Sequence, residues 1–467
     1  MSTQEKIDLD LNKPKPGLGF RHVQTILLFF GLLLAYCMRV NMSMAIVAMT
    51  DGSENSFDWS IQIQSVILSS FFWGYVVLQI PGGELAAKFG GKLLFCLCVG
   101  INSATSICIP ISAYYGGWQL VCACRVIQGL SQGFLYPSIH TLIGKWVPLE
   151  EKTSLGTLIY AGSHLGTALE LSAAGLIAEY WGWPAIFYVI GTLGVIWTTI
   201  YIFVGASSPE ESRLISDAER NYIHESLGHV VGRKKLRTPW KSLFTSLPFI
   251  SLLIVHCGQN WGFWTLMTEI PSYMNQVLGV NMKSNGLMSA LPYLSMFLLS
   301  FPFGFFSNYV LNKKWLSTTT TRKICNSIGL FGPALALIAL CYTPADVTIT
   351  VIMLTLVVGL NAGHIMGFML VHIDMAPNFA GTMMGITNGT ANVIAIIAPL
   401  AAGVILNDET DPKEWHKIFY LASIIYIIAN IIFLIFGSAE LQTWNEPNES
   451  ENKNTTDEAL EKVEKVI

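Results

Sequence analysis

The chain has 467 residues, of which 52% are hydrophobic and only 12% carry a charge. Soluble globular proteins carry a charge on about a quarter of their residues, so this chain has too few to cover a soluble particle. An aromatic content of 12% excludes an intrinsically disordered chain, because aromatic residues need burial. A net charge of −4 argues against a nucleic-acid partner. The composition therefore predicts an integral membrane protein with many spans.

Apolar runs long enough to cross a bilayer recur along the chain. They lie at 25–49, 61–86, 93–113, 118–143, 154–178, 183–204, 247–270, 284–309, 324–343, 347–372, 381–406 and 416–437. A polar stretch separates the sixth run from the seventh. The predicted divisions are an N-terminal tail (1–24), a six-helix half (25–204), a central loop (205–246), a second six-helix half (247–437) and a C-terminal tail (438–467).

The distribution of basic residues predicts how these spans are oriented. If both termini face the cytoplasm, the inner loops and tails hold 22 of the Lys and Arg residues and the outer loops hold 3. Membrane proteins concentrate Lys and Arg in their cytoplasmic loops. We therefore expect both tails and the central loop to be cytoplasmic, with the polytopic chain held in the lipid bilayer.

The two halves share short sequence patterns at equivalent places. The pattern W-x-x-I-F-Y begins at Trp183 and again at Trp415, at the starts of the sixth and twelfth spans. Gly156-Thr157 and Gly381-Thr382 open the fifth and eleventh spans. Two matches at similar offsets indicate a parallel repeat of six spans. Two six-helix halves around a midplane cavity are the architecture of the major facilitator superfamily, which this pattern resembles.

A motif in the loop after the second span supports this resemblance. The sequence from Gly83 to Lys92, G-E-L-A-A-K-F-G-G-K, resembles the superfamily signature G-x-x-x-D-R-x-G-R-K. The matched positions are Gly83, Lys88, Gly90, Gly91 and Lys92. Ala87 stands where the signature has a carboxylate, so the carboxylate-to-basic contact of that loop is missing. The predicted fold class is an all-α membrane protein of the major facilitator fold with twelve transmembrane helices.

Two arginines lie inside predicted spans, where an ionisable group is costly and needs a reason. Arg39 is about nine residues from the outer end of the first span, or roughly 13 Å, which is too deep for its side chain to reach the interface. Arg125 lies nearer the outer end of the fourth span, with Gln132 and Tyr136 at i+7 and i+11 on the predicted helix face. A structural ion pair for Arg39 and an interfacial position for Arg125 are the alternatives to binding an anionic substrate.

Several longer motifs resemble the solute carrier 17 group of anion transporters: the sodium–phosphate cotransporters, sialin and the vesicular glutamate transporters. The motifs are R-V-N-M-S from Arg39, S-F-F-W-G-Y-x-x-x-Q-I-P-G-G from Ser70, R-V-I-Q-G from Arg125, Y-P-x-x-H from Tyr136, K-W-x-P-x-E from Lys145, N-G-x-M-S-A-L-P-Y from Asn285, D-M-A-P from Asp374 and G-I-T-N from Gly385. The resemblance runs from about residue 25 to 445. It is greatest to the insect branch named after inorganic phosphate cotransport.

Departures from the family pattern bear on the driving ion. The resemblance implies a glutamate in the fourth span of proton-coupled relatives, and Gln132 stands there. A buried Glu can carry a proton whereas Gln cannot. Leu68 and Gln259 stand where the vesicular glutamate transporters have a histidine and an arginine. The sequence thus favours Na⁺ coupling and disfavours a vesicular glutamate transporter.

Other polar residues within the spans are weaker candidates. Glu170 and Glu269 are equally compatible with ion coupling and with a structural pair to an arginine. Four asparagines offer amide oxygens that could bind Na⁺: Asn260, Asn361, Asn388 and Asn392. Asp374, at the inner end of the tenth span, fits a gating role better than substrate contact. The histidines at 140, 164, 256 and 364 are each expected to be hydrogen-bonded packing residues rather than proton carriers.

The resulting prediction is a secondary active anion symporter, with Na⁺-coupled uptake of inorganic phosphate or small organic anions. The predicted substrate-binding residues are Arg39, Arg125, Gln132, Tyr136 and Tyr75. The alternatives are a proton-coupled, sialin-like exporter of acidic sugars from lysosomes, and a transporter-shaped receptor that does not transport. No phosphate-binding loop, zinc motif or nucleophile elbow indicates an enzyme. We expect a monomer without a resident cofactor or metal, in the plasma membrane rather than a lysosomal or vesicular one.

Overall fold

The computed structural model describes residues 17–50, 56–59, 61–227, 238–280, 282–406 and 410–445. Within these residues the regular structure is helical. The helices are α1 (Phe20–Met49), α2 (Ile61–Phe89), α3 (Gly91–Gln132), α4 (Leu135–Trp146), α5 (Lys152–Trp181), α6 (Trp183–Val204), α7 (Asp217–Leu227), α8 (Trp240–Thr245), α9 (Leu247–Gln276), α10 (Met282–Asn312), α11 (Thr318–Leu340), α12 (Val347–Asn361), α13 (Leu370–Met375), α14 (Ala380–Ile405) and α15 (Pro412–Phe436). A π turn (Ile365–Met369) separates α12 from α13.

Each predicted span coincides with one or two of these helices. Seven helical segments of the described chain are long and apolar enough to cross a membrane, and the bent helix α2 is an eighth candidate. One of the seven, Gly91–Trp146, has 56 residues. It contains the third and fourth predicted spans, which α3 joins across a kink at Gly117 with φ of 59°. The expected multi-span, all-α architecture is confirmed.

The helix pairs of the first half recur in the second half. In the first half, α1 packs on α5, α2 on α3, and α3 on α6. In the second half, α9 packs on α14, α10 on α12, and α11 on α15. The repeated W-x-x-I-F-Y patterns are equivalent in burial too, since Trp183 and Trp415 are both buried at the starts of α6 and α15. The structure therefore contains the parallel repeat that the sequence indicates.

The halves meet mainly where α2 packs on α14 and α5 packs on α10. Gly83 allows the first of these approaches, because a Cβ there would lie 2.6 Å from Thr382 Cα. The rest of the loop motif shapes the turn that follows. Gly90 adopts φ of 87° between α2 and α3, and Gly91 begins α3. Lys88 lies in the last turn of α2 with its ammonium 5.2 Å from the Phe89 ring centroid, and Lys92 Nζ donates to the Ile202 carbonyl at 2.8 Å.

Close packing of α2 on α3 depends on Gly129, which yields a testable prediction. A Cβ at Gly129 would contact the Phe71 carbonyl oxygen and lie 2.8 Å from Tyr75 N. We expect Gly129→Ala to destabilise the protein by about 1–3 kcal/mol, because backbone atoms on α2 cannot move aside as a flexible side chain can. Gly175→Ala is the matched control, since nothing lies within 4 Å of a Cβ there. Thermal unfolding of the purified variants measures both; equal melting temperatures would contradict the prediction.

The central loop contributes a helix that packs on the start of α1. Glu219 of α7 is buried and accepts hydrogen bonds from Phe20 N at 2.8 Å and from Arg21 N at 3.0 Å. The Arg21 guanidinium bonds Glu219 at 2.9 Å and Glu151, before α5, at 2.7 Å. These bonds satisfy the first N–H groups of α1. They explain why α1 begins five residues before the predicted first span. The remaining tail residues, 1–16 and 446–467, lie outside the described part of the chain.

The Glu219 contacts predict a pH-dependent contribution to stability. Burial alone would raise the pKa of Glu219, but the hydrogen bonds from Arg21 and Phe20 and the Arg21 charge lower it below its ordinary value of 4.5. The carboxylate therefore stabilises the fold above about pH 4.5 and loses this effect as the pH falls through the lowered pKa. We expect Glu219→Gln to lose about 1.5–3 kcal/mol at pH 7. In thermal unfolding, the difference from wild type should shrink as the pH falls below about 4. A difference that stays constant well below that pH would contradict the prediction.

Candidate functional site

A central cavity lies between the two halves. Its walls come from α1, α2, α4 and α5 on one side and, on the other, from α9, the π turn with the preceding His364, and α14. The lining residues are Tyr36, Arg39, Tyr75, Tyr136, His164, His256, Gln259, Asn260, Phe263, Trp264, His364, Met369, Asn388 and Asn392. The centres of water-sized molecules can occupy about 50 Å³ of it. At about 10–15 Å³ for each water, this is room for roughly four waters or one small oxyanion.

Arg39 is the cation of this cavity. Only 6% of it is exposed, and Nε and Nη2 have no hydrogen-bond partner among the described residues. The guanidinium carbon instead lies over aromatic rings, 4.5 Å from the Tyr75 centroid and 4.9 Å from that of Trp264. Rings of Phe71, Phe72 and Tyr36 are at 5.1, 5.3 and 5.6 Å. Aromatic faces attract the cation without neutralising its charge. The structural ion pair considered from the sequence is absent among the described residues.

Arg125 and Gln132 lie behind the cavity wall rather than in it. Arg125 is 2% exposed, and its guanidinium donates to Gln128 Oε1 at 3.1 Å and to the Arg39 carbonyl at 3.4 Å. Gln132 Nε2 donates to the Ala35 carbonyl at 2.8 Å. The positive charge of Arg125 thus lies next to the Arg39 backbone, and no carboxylate of the described chain pairs with it. Arg125 therefore does not line the cavity, but its positive charge acts on the cavity through the electrostatic potential.

Two predicted tyrosines and an asparagine form the hydroxyl and amide wall beside Arg39. The Tyr136 and Tyr36 hydroxyls are 2.7 Å apart. Asn388 of α14 donates to the Tyr75 hydroxyl at 3.1 Å and to Gln79 Oε1 at 2.9 Å, and so links the second half to the first. The i+7 and i+11 spacing places Gln132 and Tyr136 on one face of a continuous helix. In the structure Tyr136 lines the cavity whereas Gln132 does not, and Gly133 and Phe134 lie between the end of α3 and the start of α4.

The ion-coupling candidates are dispersed. Asn260 lines the cavity, as Asn388 does. Glu170 is 1% exposed in α5, but it does not line the cavity, and Oε1 has no hydrogen-bond partner among the described residues. No arginine of the described chain forms an ion pair with it. The Glu269 side chain lies outside the described residues.

Several cavity residues were not predicted from the sequence. Phe263 and Trp264 of α9 line the cavity, and the Trp264 ring packs edge-on against Phe72 of the first half. Asn392 of α14, a weaker candidate for Na⁺ binding, lines it too and has a buried Oδ1 without a hydrogen-bond partner in the described part of the chain. His164 and His364 also reach the cavity, although each was expected to be a packing residue. In the sequence, each of these residues is a histidine inside a strongly apolar span. A cavity-lining histidine and a packing histidine look the same in such a span when only one sequence is considered.

Asp374 lies at the end of the bundle where α1 begins and α15 ends, here called the terminal face. It bonds Lys152 of the first half at 3.2 Å and Arg322 of the second half at 2.8 Å. Arg322 also donates to Thr153 Oγ1 at 3.3 Å and to the Met366 carbonyl in the π turn at 3.1 Å. These buried charges join the two halves at the terminal face.

The family comparisons agree with this arrangement. The Major Facilitator Superfamily model matches residues 28–393 and 322–465. The chain is 42% identical over 456 residues to a "Putative inorganic phosphate cotransporter" of Drosophila ananassae, covering 91% of this chain and 94% of the relative. It is 34% identical to human sialin, covering 91% and 90%, and 32% identical to bovine vesicular glutamate transporter 2, covering 93% and 77%.

A solved structure supports the fold alone. The proton:xylose symporter XylE, bound to 6-bromo-6-deoxy-D-glucose, superposes with a TM-score of 0.72 at 14% sequence identity. The match covers 90% of this chain and 97% of the symporter. With a central cavity between two repeated six-helix halves and relatives that cover nearly the whole chain, this protein belongs to the major facilitator superfamily and, within it, to the solute carrier 17 family of anion transporters.

Proposed function

We propose that the protein is a symporter that takes up inorganic phosphate or a small organic anion together with Na⁺. The observation that carries the proposal is the buried Arg39 guanidinium in the cavity, whose Nε and Nη2 have no hydrogen-bond partner among the described residues. A charged group without a partner is costly in a buried site, so a ligand anion that bonds Nε and Nη2 removes that cost. The planar guanidinium fork matches two oxygens of a phosphate or carboxylate.

The surroundings of Arg39 support an anion of small size. The cavity has room for one small oxyanion, and the Tyr36, Tyr75 and Tyr136 hydroxyls lie on its walls. Arg125, whose donors bond neutral oxygens only, adds a second fixed positive charge behind Arg39. Two cations on one side of a low-dielectric cavity attract an anion more strongly than they would in water.

Two observations favour Na⁺ as the coupling ion. Gln132 replaces the acid of proton-coupled relatives, and its amide bonds the Ala35 carbonyl and Asn102 Oδ1. Asparagines of the second half line the cavity, among them Asn392, whose Oδ1 has no hydrogen-bond partner within the described chain. Neutral oxygens are ligands that suit a hard monovalent cation. Sodium entering with the anion offsets part of its charge.

The closed terminal face fits one stage of an alternating-access cycle. With both termini in the cytoplasm, the Asp374 contacts close the cytoplasmic side while the anion is received from the other side. Separation of Lys152 and Thr153 from Asp374 and Arg322 then opens the cavity inward as the halves rock. We place the protein in the plasma membrane as a monomer.

Ion gradients across proteoliposomes test the driving ion. We expect phosphate uptake to require an inward Na⁺ gradient and to persist when the pH gradient is collapsed. Gln132→Glu should make uptake pH-dependent. The Ala35 carbonyl and Asn102 Oδ1, which accept hydrogen bonds from Gln132, would repel an ionised carboxylate, whereas a protonated carboxyl can donate to one of them. Gln119→Glu, at an exposed position, is the matched control.

Two results would contradict the proposal. Strong uptake driven by a pH step, with choline replacing all Na⁺, would favour the proton-coupled, sialin-like alternative. Binding of the anion without uptake under any gradient would favour the non-transporting receptor.

A further inference from the structure

The first half presents hydrogen-bond donors to the cavity. Arg39 Nε and Nη2 have no hydrogen-bond partner among the described residues. The Tyr75 hydroxyl accepts a hydrogen bond from Asn388 Nδ2 at 3.1 Å and donates to no described atom. The Tyr36 and Tyr136 hydroxyls share one hydrogen bond, which leaves one of their hydrogens without an acceptor in the described chain. This wall therefore offers hydrogens to the charged oxygens of an anion.

The second half contributes acceptors, two of which are oriented by Asn361. Asn361 Nδ2 donates to the Gly329 carbonyl at 2.8 Å, and Asn361 Oδ1 accepts from Gln259 Nε2 at 3.2 Å. Gln259 Oε1 is thereby left as an acceptor to which no described residue donates. The Asn361 backbone carbonyl lies 2.6 Å from His364 Nδ1, so Nδ1 carries a hydrogen and donates it. In a neutral ring His364 Nε2 is then an unprotonated acceptor.

The imidazoles that line the cavity are neutral. His164 and His364 are 8% and 6% exposed, and their ring centroids lie 6.4 Å apart across the two halves. No described carboxylate lines the cavity, and Arg39 already places a cation there. A buried charge without a counterion is costly, so neither ring gains a proton at neutral pH. The lone pair of His364 Nε2 attracts a hydrogen-bond donor and repels an anionic oxygen.

We propose that the transported anion carries its own hydroxyl groups, which donate to His364 Nε2 and Gln259 Oε1 while its charged oxygens accept from Arg39 and Tyr75. Dihydrogen phosphate, a monovalent anion with a hydroxyl for each acceptor, is the inorganic example of this class. Sulfate has no hydrogen to donate and two negative charges, so it leaves both acceptors unpaired. Because the two walls belong to different halves, the bound anion also links the halves.

This inference rests on the proposed anion transport and deepens it by assigning the protonation state of the substrate. The Na⁺ ligand suggested above stays available, because Asn392 Oδ1 is not among the acceptors used by the hydroxyl groups. Hard cations bind oxygen in preference to imidazole nitrogen, so His364 Nε2 is suited to the hydroxyl rather than to Na⁺. A single Na⁺ balances the charge of a monovalent anion.

Hypophosphite tests the need for a hydroxyl group at constant charge. It is a monovalent, tetrahedral oxyanion like dihydrogen phosphate, but its hydrogens are bound to phosphorus and it has no hydroxyl. Uptake of radiolabelled phosphate into proteoliposomes, at neutral pH with an inward Na⁺ gradient, is measured in the presence of unlabelled arsenate or hypophosphite. We expect arsenate to compete as phosphate does. Hypophosphite should compete at least about tenfold more weakly, because it leaves buried acceptors unpaired.

Two variants remove the acceptors one at a time. For His364→Met and for Gln259→Met we expect the KM of phosphate to rise about tenfold, because a hydrogen bond to the substrate is lost. The inhibition constant of hypophosphite should stay near its wild-type value, which also shows that the variants fold. His364→Gln keeps an acceptor oxygen and should recover most of the phosphate affinity. His416→Met is the control, since His416 lies near the start of α15 and does not line the cavity.

The outcomes separate this inference from the proposed function. If hypophosphite competes as well as arsenate in the wild type, while Arg39→Gln abolishes uptake, the hydroxyl acceptors are overturned and the anion transporter stands. Equal increases in the phosphate KM and the hypophosphite inhibition constant of both methionine variants show a structural role only, which also overturns the inference. Absence of phosphate uptake by wild-type protein under every ion gradient overturns the proposed function and this assignment with it.

Discussion

Replacement of Arg39 by lysine is expected to reduce the kcat/KM of anion uptake by about 100-fold. Lysine keeps the positive charge but loses the fork formed by Nε and Nη2, which are unpartnered in the described structure. Two charge-assisted hydrogen bonds at about 1.5 kcal/mol each amount to about 3 kcal/mol, or about two factors of ten. The ammonium is also a compact, strongly hydrated charge that suits the surrounding aromatic rings less well than the flat guanidinium.

Uptake of radiolabelled phosphate at low concentration, normalised to the protein at the cell surface, measures this loss. Arg220→Lys is the matched control, because Arg220 pairs with the exposed Asp217 on α7 and exposed ion pairs contribute about 0–1 kcal/mol. Wild-type rates for Arg39→Lys would remove Arg39 from the binding site.

Replacement of Asp374 by asparagine is expected to break the gate at the terminal face. The substitution removes the negative charge from between Lys152 and Arg322, which are 4% and 2% exposed. Loss of one member of a buried ionic group costs about 3–5 kcal/mol, because the remaining charges stay buried without a partner. We therefore expect a large decrease in thermal stability together with loss of uptake, since the two halves no longer close below the cavity.

Thermal unfolding of purified protein tests this contact, with Asp217→Asn as control because Asp217 is 90% exposed. The double variant Lys152→Gln/Asp374→Asn should be less destabilised than the sum of the two single variants, since it removes one of the unpaired charges. Additive effects, or an unfolding temperature for Asp374→Asn equal to that of the control, would show that Asp374 does not hold the halves together.

Much of the fold follows from the sequence, because hydrophobic length determines which segments can span a bilayer. The repeated tryptophan pattern at Trp183 and Trp415 also indicated that the second half repeats the first. Helix ends were less predictable because they depend on distant partners. Glu219 extends α1 toward the N-terminus from 198 residues away along the chain. The π turn could not be predicted from the local sequence either. One contact made there is a hydrogen bond to the Met366 carbonyl from Arg322 of another helix.

The candidate site was only partly predictable for a similar reason. The depth of Arg39 in its span indicated a buried cation, and the structure places it in the cavity. For Arg125, helical spacing could not show that its donors point to Gln128 and the Arg39 carbonyl. Nor could it show that Tyr136 lines the cavity while Gln132 does not. The pair formed by His164 and His364 depends on the docking of two halves, and a local pattern does not record that contact.

The structure of the purified protein with saturating inorganic phosphate, determined by cryo-electron microscopy, tests the central proposal most directly. We predict density for the anion in the cavity, within hydrogen-bond distance of Arg39 Nε and Nη2, and no such density in the Arg39→Gln variant. Density for the anion elsewhere, with the Arg39 guanidinium paired to a protein carboxylate, would contradict the assignment of Arg39 as the anion-binding residue.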